Sequence, residues 1–429
     1  MLRFIFIPVL LLYGMISLYP QTLSLAECYT AAKAASESMA IERETLAQLE
    51  ERAGQAFGAF FPAATATGTL SLQQNMYHNG VVNSSYANAD AQGLKLSLSQ
   101  PVFRGFRLLS GLDVAGNALG AEKENREWLL ALLFVDTATV FYTVLSLEND
   151  RALLKKQEAV YNDRINDLNR RIAIGKSRAT EVLTVDAARS VLQAQIEAVS
   201  AQLESARDLF AYITKRDRQT ALTEDAELPL SLDNEAAYRV MAVKRPDVRA
   251  MQRKWDAAKA AAIVARAALF PSVDAGANVT INRSGTATTN ASDIAWGVQL
   301  GFSYALDTAG VFFSKIREAE SQEKQTALAY AQALRLAERD IMSLYHVVSA
   351  DINQLAALTR ASVLAERNYK ETLNDYNYSL VKIQDVLNAL ISFQDTKRSL
   401  DRMRFTAKND LIKLETISVR SNDMLRNSK

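Results

Sequence analysis

Apolar residues recur along this chain with two different periods, and the two periods occupy separate stretches. Leu192, Ile196, Val199, Leu203, Ala206, Phe210 and Ile213 follow a 4-3-4-3-4-3 spacing, which keeps one apolar seam facing a neighbouring helix. Val160, Ile165, Leu168 and Ile172 carry a comparable stripe, and so do Leu400, Met403, Ala407, Leu411 and Leu414. Elsewhere the period is two. Ala64, Ala66, Gly68, Leu70 and Leu72 alternate with Thr and Ser, and Leu94, Leu96 and Leu98 alternate with Lys95, Ser97 and Ser99. Later, Val273, Ala275, Ala277, Val279 and Ile281 form one such series, and Trp296, Val298, Leu300, Phe302 and Tyr304 form another. These series predict four strands of about ten residues, each with one apolar face and one small polar face. The polar segments Gln73 to Gln92 and Asn282 to Asp293 are expected to be hairpin loops.

The placement of Gly and Pro lengthens the predicted helices. Together they make about 5% of the chain against a usual share of roughly 12%. Pro is absent between Val102 and Leu228 and after Pro271; Gly175 is the only Gly between Ala121 and Leu228; neither residue occurs from Val311 to Lys429. Pro breaks a helix interior and Gly weakens one, so these stretches read as long helices. Phe106 to Ala173 as one helix would extend about 100 Å. Breaks at Gly175-Lys176-Ser177 and Asn377-Tyr378-Ser379 turn each long helix back on itself.

The chain also repeats. Phe61-Pro62 recurs as Phe270-Pro271, and Leu94 to Ser99 matches Val298 to Ser303 at an offset of 204. The same offset of 204 carries Glu181-Val182-Leu183 onto Asp385-Val386-Leu387. The expected organisation is a first repeat over 21–220, a connector over 221–233 and a second repeat over 234–429. Each repeat holds a helix, a β-hairpin (about 62–104, then 272–306) and a long helical hairpin turning near 175 or 379. Strands with one lipid-ready face and one polar face suit a membrane barrel, and Trp296, Tyr304, Phe103 and Phe106 near strand ends fit an interfacial aromatic girdle. Four strands cannot close a barrel, which begins at about eight. Several subunits must therefore contribute, and a trimer supplies twelve.

The first residues stand apart. Arg3 precedes an apolar run from Phe4 to Tyr19, the layout of a secretory signal over 1–20, and short for a membrane anchor helix, which is the other reading. Leu25-Ala26-Glu27-Cys28 outlines a lipid-attachment box, but Glu27 before the Cys and the distance from the apolar run make Cys28 a small helix residue.

Charge and chemistry mostly exclude. With 49 Lys+Arg against 48 Asp+Glu, nothing favours nucleic acid. One Cys and two distant His, His78 and His346, make neither a metal site nor a His-based triad. Gly175-Lys176-Ser177 echoes a phosphate loop, but Arg170 stands where that loop needs Gly and a helix precedes it. No nucleophile, base and oxyanion donors converge. The expectation is a protein without cofactor or enzymatic activity.

The signal-like start, Leu25 to Ala35 opening a helix, the duplicated units, Lys244-Arg245-Pro246-Asp247-Val248 and Asp385-Val386-Leu387 together resemble the TolC family of outer membrane efflux proteins. The resemblance implies a mainly α fold with a small β part, in which four strands per protomer join a trimeric twelve-stranded barrel continued by a long α-helical coiled-coil barrel. It also implies a passive export duct in the outer membrane that docks with a periplasmic adaptor and an inner-membrane pump. A periplasmic coiled-coil adaptor or spacer is the alternative, and it has no use for lipid-ready strands. The resemblance places the family's periplasmic gate at Asp385, Asn388, Glu181 and Tyr376, with Asn388 where the family has a second acid and Val381 where it has a basic partner.

Overall fold

The computed structural model describes residues 22–79, 83–224, 232–286, 289–307 and 309–418, with the backbone alone described at 73–79, 83–90, 284–286 and 289–292. The expected signal segment and part of the connector lie outside the described residues, and of His78 only the backbone is described. In chain order the elements are α1 (Leu25–Ala35), α2 (Glu37–Gly58), β1 (Ala63–Asn79), β2 (Asn83–Phe103), α3 (Arg107–Ala173) and α4 (Ala179–Thr214). Then come α5 (Glu235–Arg239), α6 (Pro246–Arg266), β3 (Ser272–Thr286), β4 (Thr289–Ser303), α7 (Val311–Asn377) and α8 (Ile383–Ile417). Helices α3 and α7 have 67 residues each, and α4 and α8 have 36 and 35. The long helices of the second half thus repeat the lengths of those in the first.

The four strands form one antiparallel sheet in the order β1-β2-β3-β4. Register turns four separate alternations into a single surface. Ala66 pairs with Leu96, Leu96 with Val279 and Val279 with Trp296; Gly68, Leu94, Ile281 and Ile294 form the next apolar row, and Ala64, Leu98, Ala277 and Val298 the one on the other side. The intervening rows, such as Thr65, Ser97, Asn278 and Gly297, are small and polar. A slip of one residue in any strand would mix the faces. From Ile294 in β4 to Tyr304 just past its end the apolar face spans ten residue steps, about 34 Å of extended chain and about 26 Å tall at the tilt of a membrane barrel. Its large side chains lie open: Trp296 and Val298 are each 77% exposed.

Two sequence expectations are corrected by this sheet. The strands have 15 to 21 residues, not ten, and the polar segments expected as hairpin loops are mostly extended and paired, down to Asn79↔Asn83 and Thr286↔Thr289. Ladder hydrogen bonds are made by the backbone whatever the side chains, so a polar, unpatterned stretch continues a ladder that patterned residues have started. For the same reason Trp296 stands in the middle of β4, seven residues from Thr289 and seven from Ser303, and not near a strand end.

The residues divide into two compact units, each drawing on both halves of the chain. Among the described residues one comprises those within 22–36, 131–235 and 343–418, the other those within 37–130 and 236–342. In the first, the coiled-coil seam is interior: Leu192, Ile196 and Val199 of α4 join Leu154, Tyr161 and Leu168 of α3 and Val386, Leu387 and Leu390 of α8. A second cluster packs Cys28 and Tyr29 of α1 on Phe134, Phe141 and Val144 of α3 and Phe210 of α4. Cys28 is fully buried. Among these apolar layers sits an ionic tie, Asp150 of α3, whose carboxylate accepts from Arg398 at 2.6 Å and from Arg402. Burial pushes this carboxyl up, but the hydrogen bonds from the two guanidiniums outweigh it and hold it below the usual range.

In the second unit the Arg245-Pro246-Asp247 segment opens α6. Pro246 occupies the first helical position, where a missing N–H costs nothing. Arg245 is buried, grips Asp247 through two hydrogen bonds of 2.9 and 2.7 Å and lies 4.7 Å over the Trp128 ring. Glu42 of α2 meets Glu122 of α3 in the same unit. Burial first, then the Glu122 carboxylate, push Glu42 up to about 7.

Both helical hairpins turn with the same hydrogen bonds. After α3, Lys176 N–H donates to Arg171 C=O (2.8 Å) and Gly175 N–H to Ile172 C=O (2.9 Å); after α7, Leu380 N–H donates to Asp375 C=O (2.9 Å) and Ser379 N–H to Tyr376 C=O (2.9 Å). Each is a Schellman cap around a left-handed residue. The first uses Gly175 (φ 72°), but the second places Ser379 (φ 64°) there, a conformation that a Cβ makes costly.

Two outcomes follow. Ser379→Gly should stabilise the protein by about 1 kcal/mol, read as a higher denaturation midpoint, and a lower midpoint would show that Ser379 makes a contact outweighing its strain. Glu42 has a folded pKa above its ordinary value of 4.5, so its share of stability is present below about 4.5 and is lost as pH rises through about 7. Glu42→Gln should therefore melt above wild type at pH 8 by more than at pH 5; equal gaps at both values would refute the assignment.

Candidate functional site at the helical turns

The sequence-predicted gate residues all fall in the first unit, on or beside the two hairpin turns. Glu181 and Asp385 occupy equivalent places, each in the first turn of the second helix of its hairpin. Acids favour that position because the first turn exposes unpaired N–H groups and the positive end of the helix dipole. The two carboxylates nevertheless do different things. Asp385 accepts from the Lys382 backbone N–H at 3.0 Å, capping its own helix. Glu181 is turned toward its neighbours: Ser177 Oγ donates to it at 2.6 Å and Tyr376 Oη at 3.3 Å. Glu181 and Tyr376 are therefore in contact.

Asp385 and Asn388 lie one helical turn apart on an exposed face of α8, opposite the buried Val386, Leu387 and Leu390. Asn388 accepts from Gln384 Nε2 at 3.1 Å. Val381 packs against the core beneath. Lys382 is exposed, and the basic groups that approach Tyr376 at the turns come instead from α3.

Four residues of this neighbourhood were not picked out from the sequence. Arg171, in the last turn of α3, donates from Nε to Asp167 at 2.9 Å and from Nη2 to Asn377 Oδ1 at 3.0 Å. Its guanidinium lies 5.2 Å from the centre of the Tyr376 ring, and Arg164 lies 5.9 Å from the same ring. Tyr376 is buried, and burial followed by the Glu181 carboxylate pushes its phenol up from the ordinary value. The sequence carried one signal: Arg164, Asp167 and Arg171 recur at helical spacing. A basic last turn, however, is expected on dipole grounds alone.

The predicted interface aromatics lie in the second unit. Phe103 closes β2, and Phe106 follows it at the corner into α3. Phe103 and Phe106 meet edge to face at 5.9 Å, and Phe106 meets Phe270, just before β3, at 6.5 Å. The corner needs Gly105: its φ is +60°, and a Cβ there would stand 2.8 Å from the Ala267 carbonyl oxygen and from the Phe270 Cβ. Arg104 beside it ties the sheet's end with two hydrogen bonds to Asp274, at 3.2 and 2.9 Å. Tyr304 follows β4 at the same end of the sheet, where Ser272 pairs with Ser303. Trp296 lies near the other limit of the apolar face, two residues from Ile294.

What the arrangement offers is a lipid-facing sheet whose two edges are unpaired among the described residues, and a pair of polar, cross-bonded helical turns. Among the described residues no cluster of three or more metal-ligating side chains occurs. Comparison with known proteins identifies the family and the fold. The model of the outer membrane efflux protein family matches residues 28–214 and again 237–418. No protein among the curated sequences matches the chain. Solved structures with the same fold include the outer-membrane channel OprN, at 15% identity and a TM-score of 0.79 over 92% of this chain and 89% of that one. VceC of Vibrio cholerae is similar at 17% identity and 0.79, over 92% and 95%, and the CmeC channel of Campylobacter jejuni at 15% and 0.78, over 94% and 89%. The chain belongs to the outer membrane efflux protein family and is an efflux duct of the outer membrane.

Proposed function

We propose that three copies of this chain assemble so that their twelve strands close one barrel, and that the turns of their helical hairpins form the gate of a passive duct. The observation that carries the assembly is the register of the sheet: a continuous apolar face ending on two open edges, β1 and β4. In a bilayer those edge groups have no water to bond, and closure against further copies satisfies them. The spacer reading leaves the exposed apolar face without a use.

At the gate, threefold symmetry brings three Asp385 carboxylates together on exposed helix faces. Like charges at a constriction attract cations and repel anions. Asn388 supplies no second ring of charge. Energy for transport comes from partners, an inner-membrane pump reached through a periplasmic adaptor, and the trapped turn contacts set what those partners must undo. Trp296, Tyr304, Phe103 and Phe106 would sit at the two levels of the bilayer interface, where amphipathic and aromatic rings are favoured.

Reconstitution into planar bilayers tests both parts. Purified protein should run as a trimer in detergent and conduct ions; a monomeric mass with no conductance would refute the duct. Trivalent lanthanum added from the side of the turns should block the current, and Asp385→Ala should weaken that block by about tenfold or more, since three charges are lost from one ring. An unchanged block would move the cation ring away from Asp385.

A further inference from the structure

Where the sheet runs into the helices of the second unit, a cleft of about 550 Å³ opens, a volume within the range of small-molecule sites. Register settles which face of the sheet it lies on. Ser272, Asp274 and Ser303 line the cleft and belong to the small polar rows, whereas Val273 and Phe302 between them belong to the apolar face. The cleft therefore opens on the side turned away from lipid, which in a closed barrel is the watery interior. Its walls are fixed by the corner already described. Gly105, at a φ of +60°, sets the bend, and Arg107 N–H donates to Arg104 C=O at 3.0 Å, so two guanidiniums leave one tight turn.

The lining is basic and its charge is uncompensated. Arg104, Arg107 and, from the start of α7, Lys315 line the cleft. Arg104 is spent on Asp274, which is the one acid of the lining among the described residues. Arg107 and Lys315 have no acidic partner among the described residues. Asp307, nearby in sequence, is taken up by the Val311 and Phe312 N–H groups at 2.9 and 2.8 Å. The twofold repeat supplies an internal comparison. Helices α3 and α7 start 204 residues apart, which sets Arg107 against Val311 and Lys315 against Gly111. The architecture thus builds the equivalent junction without either cation. Val264, Phe270 and Phe312 give the same cleft an apolar side, and a wall of low dielectric strengthens the field of cations beside it.

We infer that this cleft is a binding site for a small anionic amphiphile, with the anionic group held by Arg107 and Lys315 and the apolar body lying against Phe270 and Phe312. Its place in the transport path rests on reading the chain as a duct: three copies then stand around the interior, and anionic amphiphiles are the cargo class they favour.

The test is equilibrium dialysis of the full-length protein in detergent against naphthalene-1-sulfonate, with protein-free micelles as the blank. The sulfonate should bind at least about tenfold more tightly than 1-naphthylmethylammonium, which has the same rings and the opposite charge. It should also bind more tightly than inorganic sulfate, which has the charge and no rings. Arg107→Gln and Lys315→Gln should each weaken sulfonate binding about fivefold, the size of one charge-assisted contact in a half-open site. Arg317→Gln is the control: Arg317 is exposed on α7, donates to Ser314 and does not line the cleft, so its removal should leave binding unchanged. Equal binding of the two naphthalene probes, or undiminished binding by both cleft variants, would overturn the site. An equal loss with Arg317→Gln would assign the effect to diffuse surface charge and overturn it too, and sulfate binding as tightly as the sulfonate would overturn the amphiphile. Should the variants fail to assemble, the comparison of the three probes on the unaltered chain decides alone. In planar bilayers the sulfonate should reduce the current, and less so with Arg107→Gln. Charge-selective binding by a protein that conducts nothing would sink the duct reading and leave the site standing; conduction without charge-selective binding would sink the site and leave the duct.

Discussion

The structure depends on one rule: inside a bilayer every backbone N–H and C=O must find a partner in the protein. Strands β1 to β4 satisfy each other along their shared edges, down to the last pair of each hairpin, but the outer edges of β1 and β4 have no strand partner among the described residues. A sheet with a lipid-facing surface and two open edges is unfinished by itself. Oligomerisation is therefore a demand of the backbone, prior to any preference of side chains. The apolar rows make the demand specific, because they are continuous only in the observed register. A shifted pairing would set Thr and Asn toward lipid.

The helical parts answer to a different balance. Away from the bilayer the cores are built by coiled-coil packing, with Leu192, Ile196, Val199 and Leu203 of α4 buried in the seam. Single ionic ties at depth, such as Asp150 with Arg398 and Arg402, fix how α8 lies on α3, since breaking one strands a buried charge. At the turns the balance is reversed. Tyr376 is buried, but Arg171 and Glu181, which touch it, and Asn377, which bonds Arg171, reach solvent. Strong contacts thus occupy the depth of the helical core, and weaker, partly solvated ones the turns proposed as the gate.

Much of this was legible in the residues. The four alternating segments, the seams, the turns at Gly175 and Ser379 and the twofold repeat could all be read, because period and breaker placement are local properties. The predicted acids at 181 and 385 do stand at helix starts. What failed was equally local in cause. Polar residues beyond the apolar rows looked like loops because pattern reports a buried or lipid-facing surface, and a ladder needs neither. Trp296 was set near a strand end for the same reason.

The sequence by itself determined which residues become helix and strand, which faces are apolar, and that four strands are too few to close a barrel, since these follow from spacing along one chain. Only the tertiary structure decided how the strands align into a single lipid-facing surface, and that Glu181 grips Tyr376 while Asp385 caps its own helix. It alone brought Arg171 to Asn377, 206 residues away. These are relations between segments distant in sequence, and a periodicity holds no information about which segment a side chain will meet.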